Sequence, residues 1–208
     1  PPRDDPRDAF VGRVPFSELP PGARVGTGSP RRIAQLRMLR PDLEYVPIRG
    51  NADTRLGKVT SGELDGIVLA AAGLGRIGRE EAIAQVFEVE QVLPAPGQGA
   101  LAVECRADRA DLIELLSAID DRATRDAVTA ERSVLAALEA GCAAPVGAHA
   151  SGDGNVLSLT AAVVSVDGRR SVRKSVSGPA SAAMELGRDL AAAMLAEGAG
   201  TLMREQVQ

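Results

Sequence analysis

The chain has 208 residues, of which 45% are hydrophobic and 25% charged, and its net charge is −4. This composition indicates a globular protein of one or two domains and excludes the overall positive charge typical of nucleic-acid binding. Two cysteines and one histidine exclude a disulfide framework and a His/Cys metal cluster, and no apolar run is long enough to cross a bilayer. We therefore expect a cytoplasmic protein without a metal, a membrane anchor or a nucleic-acid partner.

The first eight residues are interpreted as a polar loop. They mix arginine, aspartate and proline, and they begin with Pro1 instead of a methionine. We expect the chain to lack an N-terminal segment.

Residues 24–90 alternate short β-branched runs with helical stretches. Strands are predicted at 24–26, 45–48 and 66–69, and helices at 33–39, 54–59 and 70–73. Right-handed crossovers would arrange these elements as a small, parallel, doubly wound α/β domain.

Residues 94–99 are rich in proline and glycine and predict a domain boundary. An apolar strand at 100–103 and an amphipathic helix at 109–118 are predicted next. The remainder predicts a separate α+β unit with a helix at 122–139, a turn at 152–155 leading into a hairpin, strands at 156–164 and 169–176, and a helix at 181–197. The last helix carries apolar residues at helical spacing, namely Ala183, Leu186, Leu190 and Met194.

The loop after the first predicted strand has features of an anion site. Ser29 is expected to cap the following helix, with Pro30 as its first residue. Arg31 and Arg32 come next, in the first turn, where the helix dipole disfavours cations. An anionic ligand would reverse that penalty.

Further arginines follow the next two predicted strands, at Arg49, Arg55 and Arg76. Ligands of parallel sheets bind outside the carboxyl ends of the strands, so we expect all five arginines to converge on one crevice. Guanidinium groups would select carboxylate or phosphate there. Any one of these arginines taken alone fits a solvated loop residue equally well. The loop at 26–29 lacks the lysine and the length of a P-loop, which makes nucleotide binding the weaker choice.

Cys142 follows the long helix and precedes a proline, which predicts a loop position at the mouth of a domain. A loop thiol is open to electrophiles, but a free cysteine is more often a small buried hydrophobe. Residue chemistry alone favours the buried alternative for Cys142 and for Cys105. His149 is interpreted as a packed or surface residue and not as a catalytic base.

A series of motifs, in this order, resembles the hydroxymethylbilane synthase family, also called porphobilinogen deaminases. The motifs lie at residues 5–10, 25–32, 49–56, 69–78, 96–100, 130–132 and 141–142. The resemblance covers nearly the whole chain, and the ordered set is far more specific than any single motif.

The resemblance implies a transferase of tetrapyrrole (porphyrin and heme) biosynthesis. Such enzymes join four porphobilinogen units head to tail into hydroxymethylbilane and release ammonia at each step. The product grows on a covalent dipyrromethane cofactor, which the resemblance assigns to a thioether on Cys142. Each pyrrole carries an acetate and a propionate, in agreement with an arginine-lined crevice. A cytoplasmic monomer is implied.

The resemblance also assigns cofactor and substrate contacts to Thr27, Ser29, Arg31, Arg32, Arg49, Asn51, Arg55, Arg76 and Gln98. No catalytic residue falls in this chain, because the catalytic aspartate of the family lies upstream in a first domain. We therefore expect the chain as given to be inactive. Three parts are expected: a second, periplasmic-binding-protein-like domain at 1–95, a returning segment of the first domain at 96–119, and a C-terminal α+β domain with a small antiparallel sheet at 120–208.

Two other functions fit part of the sequence. A non-catalytic carboxylate-binding module of the periplasmic-binding-protein or regulator effector-domain type would have the same arginine crevice but no need for Cys142. A phosphate-sugar enzyme would require a lysine or an acid/base pair at the crevice, and neither is convincing here.

Overall fold

A computed structural model of the protein describes residues 1–141 and 144–204. Its larger sheet contains β1 (Asp8–Gly12), β2 (Arg24–Gly26), β3 (Glu44–Val46), β4 (Gly66–Ala70) and β5 (Ile83–Val86), in the spatial order β3-β2-β4-β1-β5. Strand β2 pairs in parallel with β3 and β4. Strand β1 runs antiparallel to both of its neighbours, β4 and β5.

Helices cover both faces of the larger sheet: α1 (Pro30–Leu39), α2 (Ala52–Thr60) and α3 (Ala71–Arg76). On one face Phe10 packs in a cluster with Leu36 of α1. On the other face Ile67 packs in a cluster with Val59 of α2 and Leu74 of α3. Successive residues of a strand point to opposite faces, so β1 contributes Phe10 to the first cluster and Ala9 and Val11 to the second. The predicted doubly wound α/β fold is confirmed.

The second sheet is antiparallel, in the order β6-β7-β8, and consists of β6 (Val146–Gly152), β7 (Val156–Val164) and β8 (Ser171–Pro179). Helices α5 (Arg122–Ala137), α6 (Ala183–Ala196) and α7 (Ala199–Arg204) contribute buried side chains to the same core. The apolar residues predicted on the last helix are all buried. This unit is the predicted α+β part with its small antiparallel sheet.

The segment between the two sheets differs from the prediction. Residues 100–103 do not form a strand, and Leu101 and Val103 are 53% and 55% exposed. Helix α4 (Ala110–Ser117) forms as predicted, yet it has no buried residue. The apolar run has no strand beside it within the described residues, and without a pairing partner an extended segment is not a strand. No helix in the described parts of the chain is long and apolar enough to cross a membrane.

Strands β1 and β5 were not predicted. The polar loop interpretation fails at Asp8, which is the first residue of β1 and is completely buried. From the sequence alone, a charged residue beside an apolar run is expected to be the last residue of a loop. Here it is buried because two arginines from α1 neutralise it.

The two sheets are connected by specific contacts. Glu131 of α5 is completely buried and pairs with Arg3 at 2.6 Å, and its carboxylate accepts hydrogen bonds from the backbone N–H groups of Gly97 and Ala150. The Ala148 N–H donates to the Pro94 carbonyl at 3.0 Å. These bonds hold residues 94–99 between the larger sheet and β6.

Candidate functional site

The carboxyl ends of the parallel strands form the edge at which the candidate site lies. The loops that follow β2 and β3 are in direct contact, because the Thr27 N–H donates to the Val46 carbonyl at 3.0 Å. A Cβ atom on Gly28 would lie 2.8 Å from the Ile48 carbonyl oxygen, so only glycine allows the loops to approach this closely. Thr27 is buried, and its hydroxyl accepts a hydrogen bond from the Ser29 N–H.

Helix α1 starts at this edge as predicted. The Ser29 hydroxyl caps the helix by accepting from the Arg32 N–H, and Pro30 is the first helical residue. The side chains of Arg31 and Arg32 are buried, with residue exposures of 3% and 9%. Burial of two adjacent arginines requires a compensating partner.

Asp8 supplies that partner. Its carboxylate lies 2.8 Å from Nη1 of Arg31 and 2.7 Å from Nη2 of Arg32, and Nε of Arg32 donates to it as well. Strand β1 is antiparallel, with Asp8 opposite Ala70 and Gly12 opposite Gly66. The first residue of β1 is therefore level with the carboxyl end of β4, which is why a carboxylate reaches the site from this strand.

Gln98 joins the same cluster from the segment between the sheets. Its Nε2 donates to Asp8 at 2.9 Å and to the Pro6 carbonyl at 2.6 Å, and its Oε1 accepts from both arginines. Arg31 also donates to the Leu93 carbonyl, which Gln35 binds too. We call Asp8, Arg31, Arg32 and Gln98 the arginine cluster.

The arginine cluster carries one uncompensated positive charge. Burial by itself raises the pKa of the Asp8 carboxyl, but the charges of Arg31 and Arg32 outweigh it and hold that pKa below the usual range. Asp8 is thus ionised and balances one of the two guanidinium groups. Within the described residues no second carboxylate pairs with either arginine, and the buried Nε of Arg31 has no hydrogen-bond partner. Such a cluster can accept one carboxylate group of a ligand.

Arg49, Asn51 and Arg55 form a second group around the start of α2. Asn51 caps the helix by accepting from the Thr54 N–H at 2.9 Å, and Arg55 donates to the Gly50 carbonyl at 2.8 Å. Arg49 is exposed and has no hydrogen-bond or ion-pair partner among the described residues. Its guanidinium is therefore free to bind an anion.

Arg76 binds the chain segment that carries Gln98. It pairs with Asp4 at 2.6 Å and donates to the Gly99 carbonyl, next to Gln98. Of the five arginines, Arg31 and Arg32 donate hydrogen bonds directly to Gln98. Arg76 is connected to them indirectly, because Gly99 follows Gln98 in the chain. Arg49 and Arg55 share no bond with the cluster, although their loop contacts the one that starts α1.

Asp8 and Glu131 are the site-related residues that sequence reasoning missed. Their signal was weak, because an acidic residue beside an apolar run or within a long helix is usually solvated. Cys142 lies outside the described residues. Cys105 is a free thiol of intermediate exposure, and His149 is half-buried on β6. No group of three or more acidic, histidine or cysteine side chains within 1–141 and 144–204 could hold a metal ion.

An apolar groove of about 1370 Å³ lies elsewhere, between residues 96–103, α4 and α5. It is lined by residues that include Leu101, Val103, Ile113, Leu116, Val128 and Ala136. None of the nine proposed binding residues lines it. The groove and the arginine cluster are therefore separate features.

Comparisons with known proteins agree on one family. Residues 1–114 match the family model described as "Porphobilinogen deaminase, dipyromethane cofactor binding domain", and residues 126–196 match the one described as "Porphobilinogen deaminase, C-terminal domain". All nine proposed binding residues fall within the first of these matches.

Curated relatives carry the same name. The chain is 58% identical to a porphobilinogen deaminase of Thermobifida fusca, 55% identical to porphobilinogen deaminase 1 of Streptomyces coelicolor and 51% identical to a porphobilinogen deaminase of Corynebacterium diphtheriae. These matches cover 98%, 100% and 98% of this chain and 67%, 70% and 70% of the relatives. Among solved structures, a periplasmic binding protein of Salmonella typhimurium, described as having high arginine specificity, matches this chain at 17% sequence identity with a TM-score of 0.34. The match covers 57% of this chain and 55% of that protein. That likeness is too small to support any statement about this chain.

Proposed function

We propose that this chain, which belongs to the porphobilinogen deaminase family, binds the carboxylates of porphobilinogen and of the growing oligomer. The reaction is the stepwise head-to-tail condensation of four porphobilinogen units into hydroxymethylbilane, with release of ammonia. The observation that carries the proposal is the uncompensated positive charge of the buried arginine cluster. An acetate or propionate of a pyrrole would balance it and form bidentate hydrogen bonds.

A dipyrromethane cofactor fits this edge of the sheet. One of its carboxylates would neutralise the remaining positive charge of the arginine cluster and accept a hydrogen bond from the unpartnered Nε of Arg31. Arg49, whose guanidinium has no partner among the described residues, would bind another carboxylate. When bound, the cofactor supplies the pyrrole carbon that attacks each incoming unit. Cys142 is the proposed attachment point, as the family resemblance implies.

The proposed binding residues have two roles: most of the arginines bind carboxylates, and the remaining residues position the loops that carry them. Arg31 and Arg32 hold a carboxylate in a site that excludes water, and Arg49 and Arg55 hold further carboxylates where the site is open. Thr27, Ser29 and Asn51 fix the loops from which these side chains extend, and Gln98 and Arg76 hold the segment at 97–99 against them. We assign no proton transfer to Asp8, because an ionised carboxylate held by two guanidinium groups is a poor acid and a poor base.

The non-catalytic binding-module alternative is disfavoured, since relatives that match nearly the whole chain are named as deaminases. We further propose the division into parts at 1–95, 96–119 and 120–208, with the two separate sheets as support. A cytoplasmic monomer remains part of this proposal. The net charge of −4 argues against a nucleic-acid partner.

The test uses the intact, full-length protein with porphobilinogen, because the catalytic aspartate that the resemblance implies is not among residues 1–208. We expect one ammonia to be released for each unit consumed, and mass spectrometry to detect a dipyrrole-sized adduct that is absent from Cys142→Ala. Cys105→Ala is the matched control and should retain the adduct. If porphobilinogen is not consumed, the proposed activity is wrong. If Cys142→Ala retains the adduct, the attachment point is wrong.

A further inference from the structure

Asp8 has an unusual position for a charged residue. It begins β1, and the backbone on either side of it is fixed by pairing with β4 and by the Phe87 N–H, which donates to the Asp8 carbonyl at 2.9 Å. Its side chain is completely buried. The carboxylate is consequently anchored to the first residue of a strand that has a neighbour on each side, and not to a loop.

Both oxygens of the Asp8 carboxylate are engaged. Oδ2 accepts from Arg31 at 2.8 Å, whereas Oδ1 accepts from Arg32 at 2.9 Å and from Gln98 at 2.9 Å. Neighbouring residues of a helix point about 100° apart, so Arg31 and Arg32 would diverge without a shared partner. Asp8 draws the two guanidinium groups together.

Asp8 also sets the charge of the site. Two arginines at a helix N-terminus would carry a charge of +2 at the positive end of the dipole, which is unfavourable when buried. One carboxylate reduces the charge to +1, which a single ligand carboxylate can neutralise.

We propose that Asp8 is a positioning residue of the carboxylate site, which holds Arg31 and Arg32 side by side and leaves the pair one positive charge for the ligand. This inference rests on the proposed function and extends it to a residue that does not touch substrate. A residue needed only for folding would alter thermal stability without altering substrate affinity in the folded enzyme.

The first experiment compares Asp8→Asn with Asp42→Asn in the intact protein. The asparagine keeps the shape of Asp8 but removes its charge, so the two arginines repel each other and separate. We expect KM for porphobilinogen to rise about tenfold or more, with a smaller change in kcat, because ground-state binding is lost. Asp42 pairs with Arg40 on the surface and is the control; its variant should retain normal KM.

The results of this experiment distinguish a failure of the proposed function from a failure of the proposed role of Asp8. A wild-type protein that does not consume porphobilinogen would overturn the proposed function. Normal turnover of the wild type together with an unchanged KM in folded Asp8→Asn would overturn only the role of Asp8.

A second pair of variants covers the case in which Asp8→Asn does not fold. Both Ser29→Asp and Ser29→Asn keep a good helix cap, and only the aspartate adds a negative charge beside the arginine cluster. We expect KM to be about tenfold higher in Ser29→Asp than in Ser29→Asn, because the added carboxylate competes with the ligand. Equal KM values in the two variants would overturn the claim that one free positive charge binds substrate.

Discussion

Single residues at the carboxyl edge of the sheet account for the chemistry of the site, and most of them could be predicted from the sequence. The arginines stood out because they recur after successive strands, and the cap at Ser29 followed from local pattern. The partner of Arg31 and Arg32 could not be predicted. Asp8 lies 23 residues before Arg31 in the chain, and only the reversed direction of β1 brings it to this edge.

Arg49 provides the cleanest mutational test of carboxylate binding. Replacement by methionine removes a free guanidinium and breaks no bond within the described residues, so the melting temperature should stay unchanged. We expect KM for porphobilinogen to rise about tenfold or more, since a charge-assisted hydrogen bond contributes about 1.5–3 kcal/mol. Steady-state kinetics and thermal unfolding measure the two effects.

Arg13→Met is the matched control for Arg49→Met. Arg13 is also exposed and unpaired among the described residues, but it follows Gly12, which lies level with the amino end of β4. Its loss should change neither KM nor stability. A similar rise in KM in both variants would mean that overall charge, not position, controls binding.

His149 is expected to make folding stability depend on pH. Burial, together with the positive charge of Arg3, lowers its pKa from the ordinary value of 6.5 to about 4, although Glu90 acts in the opposite direction. Between these two values the unfolded chain takes up a proton that the folded protein does not. Stability should therefore fall as the pH decreases from 6.5 to 4, by about 1 kcal/mol after allowance for partial exposure.

The measurement is chemical unfolding of wild type and His149→Gln at pH 7.5 and pH 4.5. The unfolding free energy of the wild type should decrease more than that of His149→Gln when the pH is lowered from 7.5 to 4.5. Parallel pH dependence in both proteins would show that His149 does not titrate in this way.

At the scale of elements, helices with caps and clear periodicity were predicted well, and so were strands β2, β4, β7 and β8, whereas other strands were not. Helix α5 begins at Arg122, the predicted first residue of the long helix, and the structure shows Asp121 as its cap. Strands β1 and β5 were missed, and the strand at 100–103 was wrong. A helix satisfies its own backbone, whereas a strand requires a partner whose position a local pattern does not contain.

At the scale of the whole molecule, contacts cross between the elements around the two sheets. The turn between β7 and β8 lies against α1, the helix that carries Arg31 and Arg32. Gly168 in this turn has a φ of 72°, and an added Cβ would lie 2.9 Å from the Met38 nitrogen and 3.0 Å from the Ala34 oxygen. Three parts were expected from the sequence, at 1–95, 96–119 and 120–208, but this contact between the turn and α1 was not, because no local pattern encodes it.

Gly168→Ala tests the contact between the units. Alanine in a left-handed conformation costs about 1–2 kcal/mol, and the clash with α1 should add about 1–3 kcal/mol. Gly154→Ala is the matched control, because Gly154 has a φ of 89° in the other hairpin turn of the sheet and no atom within 4 Å of an added Cβ. Unfolding free energies of the two variants give the difference directly. Equal losses of stability would mean that the turn does not pack on α1 in solution.

The leftover positive charge of the arginine cluster has a practical consequence for solution work. A buried site that accepts a carboxylate will also accept acetate, citrate or phosphate, so these buffer ions should compete with substrate. Assays in chloride solutions of an amine or sulfonate buffer should then give lower KM values than assays in citrate at the same ionic strength. The choice of buffer therefore tests which anions neutralise the remaining positive charge of the two guanidinium groups.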